Sequence, residues 1–146
     1  MLNQSAICAF VATTNAAKAK AFYHDVLGLT FVSDDSFALV FDSGGTMLRV
    51  ARVKELSPAP YTVLGWNVAD IAAAIKKLSS RGVVFEKYPG LPQDDAGVCT
   101  FPGGAKVAWF KDPDGNTLSL AQHPKKTNAT AKPRSSAKAD AKKRKR

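Results

Sequence analysis

The chain has 146 residues, of which 45% are hydrophobic, enough for one domain with its own core and too apolar for a wholly disordered protein. Its formal net charge of +9 is unevenly placed: of 21 Lys and Arg, ten fall in Pro124–Arg146 against one of the 12 acids, leaving eleven of each sign in Met1–His123. The basic character therefore belongs to the tail, and no apolar run approaches the roughly 20 residues that span a bilayer, so no membrane partner is expected.

Cys8 and Cys99 have neither metal-type nor redox-type spacing and read as free thiols in a reducing compartment. The N-terminus lacks a cationic region ahead of a long apolar core, so a secretory signal is not expected and the expected location is cytoplasmic.

In chain order, Ser5–Ala12 reads as a short apolar strand. Asn15 caps a helix to about Leu27, with Phe22, Tyr23, Val26 and Leu27 as its buried stripe and Gly28 as its stop. Three strands follow, Leu29–Ser33, Phe37–Phe41 and Thr46–Val53, the last two joined by the turn Asp42–Gly45. Ser57-Pro58-Ala59-Pro60 interrupts the pattern, and the order then restarts. Tyr61–Val68 is a strand. Asp70 caps a helix with Ile71, Ala74, Ile75 and Leu78 at i, i+3, i+4 and i+7, and Gly82 ends it. Val83–Tyr88, Lys106–Phe110 and Asn116–Gln122 are the next strands, with a loop rich in Gly, Pro and Asp at Pro89–Gly104. In the closing turn, Pro113 presets φ, while Asp114 and Gly115 suit left-handed geometry.

The chain is thus strand-helix-strand-strand-strand, written twice. Cys8 precedes the cap Asn15 by seven residues, as Val63 precedes Asp70. Four residues beyond the aligned turn glycines Gly45 and Gly115 lie Arg49 and Ser119. One domain is expected over 1–123, with module one at about 4–53 and module two at about 61–122, followed by a disordered basic tail at 124–146.

The stretches KAFYHDVLGLTF (Lys20–Phe31), VADIAAAIKKLSSRGVVFE (Val68–Glu86) and FKDPDGNTLSL (Phe110–Leu120) carry a resemblance. Their order and spacing resemble the vicinal oxygen chelate superfamily of glyoxalase I, extradiol dioxygenases, and fosfomycin and bleomycin resistance proteins. The resemblance implies an α+β fold of paired βαβββ modules, forming a curved, barrel-like mixed sheet around one cleft, and a homodimer. In that family's enzymes a divalent metal is held by His, Glu or Gln from the first and last strands of each unit. The matching positions here are Cys8, Arg49, Val63 and Ser119. A hard cation wants carboxylate or imidazole; Val63 offers nothing, Ser119 is a weak neutral donor, and Arg49 repels a cation. His24 and His123 fall outside those strands. No metal, no cofactor and no catalytic residue are therefore expected, and the family's metal chemistry does not transfer with its fold.

Alternation puts Cys8, Phe10, Met47, Arg49, Tyr61, Val63, Thr117 and Ser119 on one face, a mixture suited to a small-molecule pocket. Ile7, Val11, Leu48, Val50, Leu64, Trp66, Leu118 and Leu120 form the other face, the helix-covered core. Arg49, buried in a cleft, would hold an anionic ligand; alternatively it reaches solvent or pairs with an internal acid. Thr117 and Ser119 are candidate ligand hydrogen-bonders or plain sheet hydroxyls. Cys8 lacks a base to make it a nucleophile and reads as a buried, inert thiol, and Asp94 and Asp95 are either a closing loop pair or solvated. The tail, without aromatics, suits weak, non-specific nucleic-acid binding through phosphate charge, or simple solubilisation. The expected function is a metal-free small-molecule-binding protein of the glyoxalase/bleomycin-resistance type, binding or sequestering a ligand in the cleft between the two modules. The alternatives are a metal-dependent enzyme with ligands elsewhere, and an adaptor whose tail binds nucleic acid.

Overall fold

The computed structural model describes Met1–Lys126, so the predicted tail lies, from residue 127 onward, outside the described residues. Module one is β1 (Cys8–Thr13), α1 (Ala16–Lys20), β2 (Thr30–Asp34), β3 (Ala38–Ser43) and β4 (Thr46–Arg52). Module two is β5 (Thr62–Asn67), α2 (Ile71–Ser79), β6 (Cys99–Thr100), β7 (Lys106–Lys111) and β8 (Thr117–Gln122). Each builds one four-stranded mixed sheet, ordered β1-β4-β3-β2 and β5-β8-β7-β6, with its first and last strands parallel. The sheets curve but do not close into a barrel. The edge strands β1 and β5 approach each other without forming a ladder.

Local chemistry explains most boundaries. The Asn15 and Asp70 side chains accept the N–H groups of Lys18 and Ala73, which would otherwise lack partners at the helix starts. Gly44 and Gly45, both at positive φ, let the β3–β4 hairpin close with Ser43 opposite Thr46. Ile71 and Ile75 are buried, with Ala74 and Leu78 packed beside them, as the periodicity predicts. The core joins them to Tyr23, Phe41, Leu48, Val50, Phe110 and Leu118 in one cluster spanning both modules.

Four expectations need correction. The first helix does not run as an α-helix to Leu27: after α1, Ala21–Val26 is π-helical, and Leu27 N–H bonds the Phe22 carbonyl. The wider turn brings both Phe22 and Tyr23 against the core, their rings 5.2 Å apart and edge-on. Val83–Tyr88 is no strand. It contributes one bridge, Phe85 to Phe110, and one hydrogen bond, Glu86 N–H to the Trp109 carbonyl. The rest of that sheet edge is taken by β6, from within the predicted loop, paired to Lys106 and Val107. Gln93 organises the loop, accepting from Tyr88 N–H and donating to the carbonyls of Glu86 and Gly97. Ile7, predicted in the core, is 77% exposed, lying just ahead of the edge strand β1 and outside its ladder. Finally, Asp114 is not left-handed: among the described non-glycine residues only Ser36 has positive φ.

Candidate functional site

The closing turn locks module two onto module one. Gly115 N–H bonds the Asp112 carbonyl with Gly115 at φ 87°, completing the tight turn. The Asp112 side chain is buried. It accepts the backbone N–H groups of Asp114 and Asn116, the Asn116 amide at 2.8 Å and the Tyr23 hydroxyl at 2.7 Å. Burial, with the Asp112 charge beside it, pushes the Tyr23 hydroxyl far above its ordinary pKa. Asp114 accepts from Thr13 Oγ1, from Thr14 N–H and from Thr14 Oγ1. Burial pushes the Asp114 carboxyl up, but these hydrogen bonds outweigh it and hold the group below the usual carboxylate range. Asn116 also donates to the Ala12 carbonyl. The acids that a sequence reading assigns to turn geometry thus dock module two onto module one.

On the face not covered by helices, β1 and β4 place Cys8 opposite Met47 and Phe10 opposite Arg49. In module two a bulge between Thr62 and Leu64 displaces Val63, and Gly65 stands opposite Ser119. Phe10 and Gly65 each lie five residues before their helix cap, so the repeat is real. The partners of the last-strand positions are nonetheless two residues beyond Cys8 and Val63. Gly65 is required where it is: a Cβ there would lie 2.5 Å from Ser119 Oγ and 3.3 Å from the Ser119 carbonyl.

Cys8, expected as a buried thiol, is exposed at the start of the edge strand β1, as are Phe10, Met47, Tyr61 and Val63, whereas Thr117 and Ser119 are buried at 8% exposure each. Arg49 Nη2 lies 2.5 Å from Asp35 Oδ2, so its charge is answered inside module one. That contact is the first cause holding the Asp35 carboxyl below its usual range. Arg52 grips Asp34 with both terminal nitrogens, at 2.6 and 2.7 Å. Asp94 is used by its own loop, accepting from Ala96 and Val98 N–H, and Asp95 is exposed.

The main cavity on this face is not between the modules, as the sequence leads one to expect, but within module two and the linker that precedes it. It holds about 570 Å³ and is lined by Pro58, Tyr61, Tyr88, Trp109, Lys111 and Thr117, among others. The Trp109 indole donates to Thr62 Oγ1 at 3.1 Å and meets the Tyr88 ring edge-on at 5.8 Å. A second hollow of about 360 Å³, bounded by Phe10, Ala51, Leu56 and Val63, shares Ala59 of the linker with the first. Of the eight predicted site residues, the structure brings Tyr61 and Thr117 into the larger hollow and Phe10 and Val63 into the smaller. Cys8, Met47, Arg49 and Ser119 line neither.

Trp109, Tyr88 and Lys111 are missing from the predicted site because it drew on the first and last strands of each module. Alternation along β7 carries the signal: Val107, Trp109 and Lys111 oppose Ala121, Ser119 and Thr117.

The residues at the expected metal positions do not fit a divalent cation. Cys8 is one thiol, Arg49 is a paired cation, Val63 has no donor and Ser119 is neutral. The two-residue shift offers Phe10 and Gly65, which add no donor side chain. Among the described residues no group of three or more His, Cys, Asp or Glu side chains is arranged to hold a metal ion.

The family model of the Glyoxalase/Bleomycin resistance protein/Dioxygenase superfamily matches residues 6–120. Among solved structures, the chain is similar to a superfamily member from Sphaerobacter thermophilus, with 26% identity and a TM-score of 0.63 over 81% of this chain and 98% of that one. It is similar to a glyoxalase family protein from Bacillus anthracis, with 16% identity and a TM-score of 0.64 over 83% and 96% of the two chains. It is also similar to a lactoylglutathione lyase from Agrobacterium tumefaciens, with 20% identity and a TM-score of 0.63 over 81% and 93%. At 16% and 20% identity the last two likenesses speak for the fold alone. No curated protein matches the chain significantly.

Proposed function

The chain belongs to the glyoxalase/bleomycin resistance protein/dioxygenase superfamily, and from that premise we propose that it is a metal-free small-molecule-binding protein, holding its ligand in the cleft on the open face. One observation carries the reading. The positions matching the family's metal ligands hold Cys8, Arg49, Val63 and Ser119, while the same face keeps an aromatic-lined hollow of about 570 Å³. That volume lies within the roughly 300–1,000 Å³ of ordinary ligand sites. Thr117 lines the hollow, and neither its hydroxyl nor that of Ser119 makes a side-chain hydrogen bond among the described residues. Poor metal donors beside an aromatic-lined hollow support binding and sequestration as the activity.

The test combines metal analysis with a thermal-shift screen. Protein purified without chelator is expected to carry no stoichiometric Zn, Fe, Mn or Ni. Small ligands are expected to raise its melting temperature, and Trp109→Ala is expected to abolish the rise. Stoichiometric metal lost on mutating cleft residues, but kept on mutating His24 or His123, overturns the reading in favour of an enzyme. The proposal includes a homodimer, supported by the exposed Phe10, Phe37, Met47 and Tyr61, and sedimentation velocity tests it. No described helix is long and apolar enough to cross a membrane.

A further inference from the structure

We propose that the cleft ligand is a planar aromatic anion, its ring packed against Tyr61, Tyr88 and Trp109 and its charge held by Lys111; this rests on the small-molecule reading above and names its ligand class. Three features of the 570 Å³ hollow point to a flat ring. The Trp109 N–H is already used by Thr62, so the indole offers the ligand surface rather than a donor. Tyr88 is braced against it at 78° between ring planes, which presents two pre-set aromatic walls at right angles. Pro58 and Pro60 form a further wall whose backbone has little freedom to lose on binding.

The sign of the charge follows from an inventory of the lining. Lys111 is its one charged residue, and it forms no salt bridge among the described residues. The acids on the adjoining turn are engaged elsewhere, Asp112 by Tyr23 and Asn116, and Asp114 by Thr13 and Thr14. Arg49, the anion anchor expected from the sequence, is spent on Asp35 in the other module. Lys111 stands directly opposite Thr117 in the β7–β8 ladder, and both line the hollow. An ammonium and a hydroxyl on neighbouring positions suit the two oxygens of one carboxylate. The Glu86 carboxylate lies near enough to act on the Tyr88 hydroxyl and lines a neighbouring hollow with Lys111, but the ammonium is the one charge in this lining and disfavours an aromatic cation that the rings alone would accept.

The experiment compares 2-naphthoate with its neutral isostere 2-naphthamide by calorimetry. It also follows Trp109 quenching in Trp66→Phe, which leaves one of the two tryptophans. Naphthoate is expected to bind at one per cleft, about three- to tenfold tighter than the amide at low salt. That preference is expected to vanish in Lys111→Ala, an exposed site whose loss leaves the fold intact, and to shrink at roughly 0.5 M NaCl. Equal affinity for amide and acid, or a preference that survives Lys111→Ala, overturns the anionic assignment. If neither compound quenches Trp109 but other chemistries stabilise the protein in a Trp109-dependent way, the ring-anion proposal falls and the cleft reading stands. If nothing binds the cleft, both fall.

Discussion

Replacing Tyr23 by Phe removes one oxygen from the centre of the molecule and tests whether the closing turn is an energetic latch. Tyr23 is 0% exposed and Asp112 6%, and their side chains meet at 2.7 Å across the module boundary. Phe fills nearly the same volume, so no cavity larger than the missing hydroxyl opens. The change isolates a hydrogen bond to a buried carboxylate. Three other donated bonds remain on Asp112, so it is weakened rather than abandoned. A hydrogen bond to a charged group contributes about 1.5–3 kcal/mol, which for a domain of this size corresponds to roughly 5–15 °C in Tm. Urea unfolding at pH 7 measures it. The cycle with Asp112→Asn should show coupling between the two positions of more than about 0.5 kcal/mol.

A second readout follows from linkage. The Tyr23 hydroxyl has its pKa raised in the folded state, so its contribution is full below the unfolded value of 10.0 and is lost as pH rises above it. There the wild type should lose about 1.4 kcal/mol per pH unit more than Tyr23→Phe does. Equal stability of the two proteins within about 0.5 kcal/mol at pH 7, with parallel alkaline limbs, refutes the latch.

Asp114→Ala should cost about 1–2 kcal/mol by urea unfolding, since three donors on Thr13 and Thr14 lose their acceptor at a partly exposed site; no measurable loss would show that this arm of the turn is decorative. Gly65→Ala should destabilise by about 1–3 kcal/mol because its Cβ meets Ser119. Part of that cost should return in Gly65→Ala/Ser119→Ala, since the Ser119 oxygen makes the closest contact, and a harmless single mutant would contradict the packing. The hydrogen bond from Arg52 takes the Asp34 carboxyl from 3.8 to about 2, and Asp35 and Asp114 are also depressed. Depressed carboxylates stabilise above their unfolded pKa, so stability should fall as pH drops from about 4 toward 2. Arg52→Ala should flatten that acid limb, measured by thermal melts across the window.

Periodicity, caps and turn glycines made the two modules readable, because helix starts, hairpins and strand alternation are decided by residues within a few positions of each other. Asn15, Asp70, Gly28, Gly82 and the Asp42–Gly45 turn all behave in the structure as their local chemistry predicts. Local rules failed where two segments competed for one partner. Val83–Tyr88 has the composition of a strand, yet it shares the β7 edge with Cys99–Thr100, and the Gln93 side chain fastens the loop that decides the division. The π-helical turn at Ala21–Val26 is likewise a tertiary outcome, since it brings Phe22 and Tyr23 together onto the core.

The candidate site divides along the same line. Which residues face the open side of a regular strand is a matter of parity, so Phe10 and Thr117 are legible from the chain alone, whereas the bulge between Thr62 and Leu64 breaks parity in β5 and sets Thr62, not Val63, opposite Thr117. What those side chains meet is decided by partners far away in sequence. Arg49 is neutralised by Asp35 across a hairpin, Trp109 is turned by Thr62, and Lys111 forms no salt bridge among the described residues. The chemistry of DPDGN is local and legible; that its two acids clasp Tyr23, Thr13 and Thr14, about a hundred residues earlier, appears only once the chain has folded back on itself.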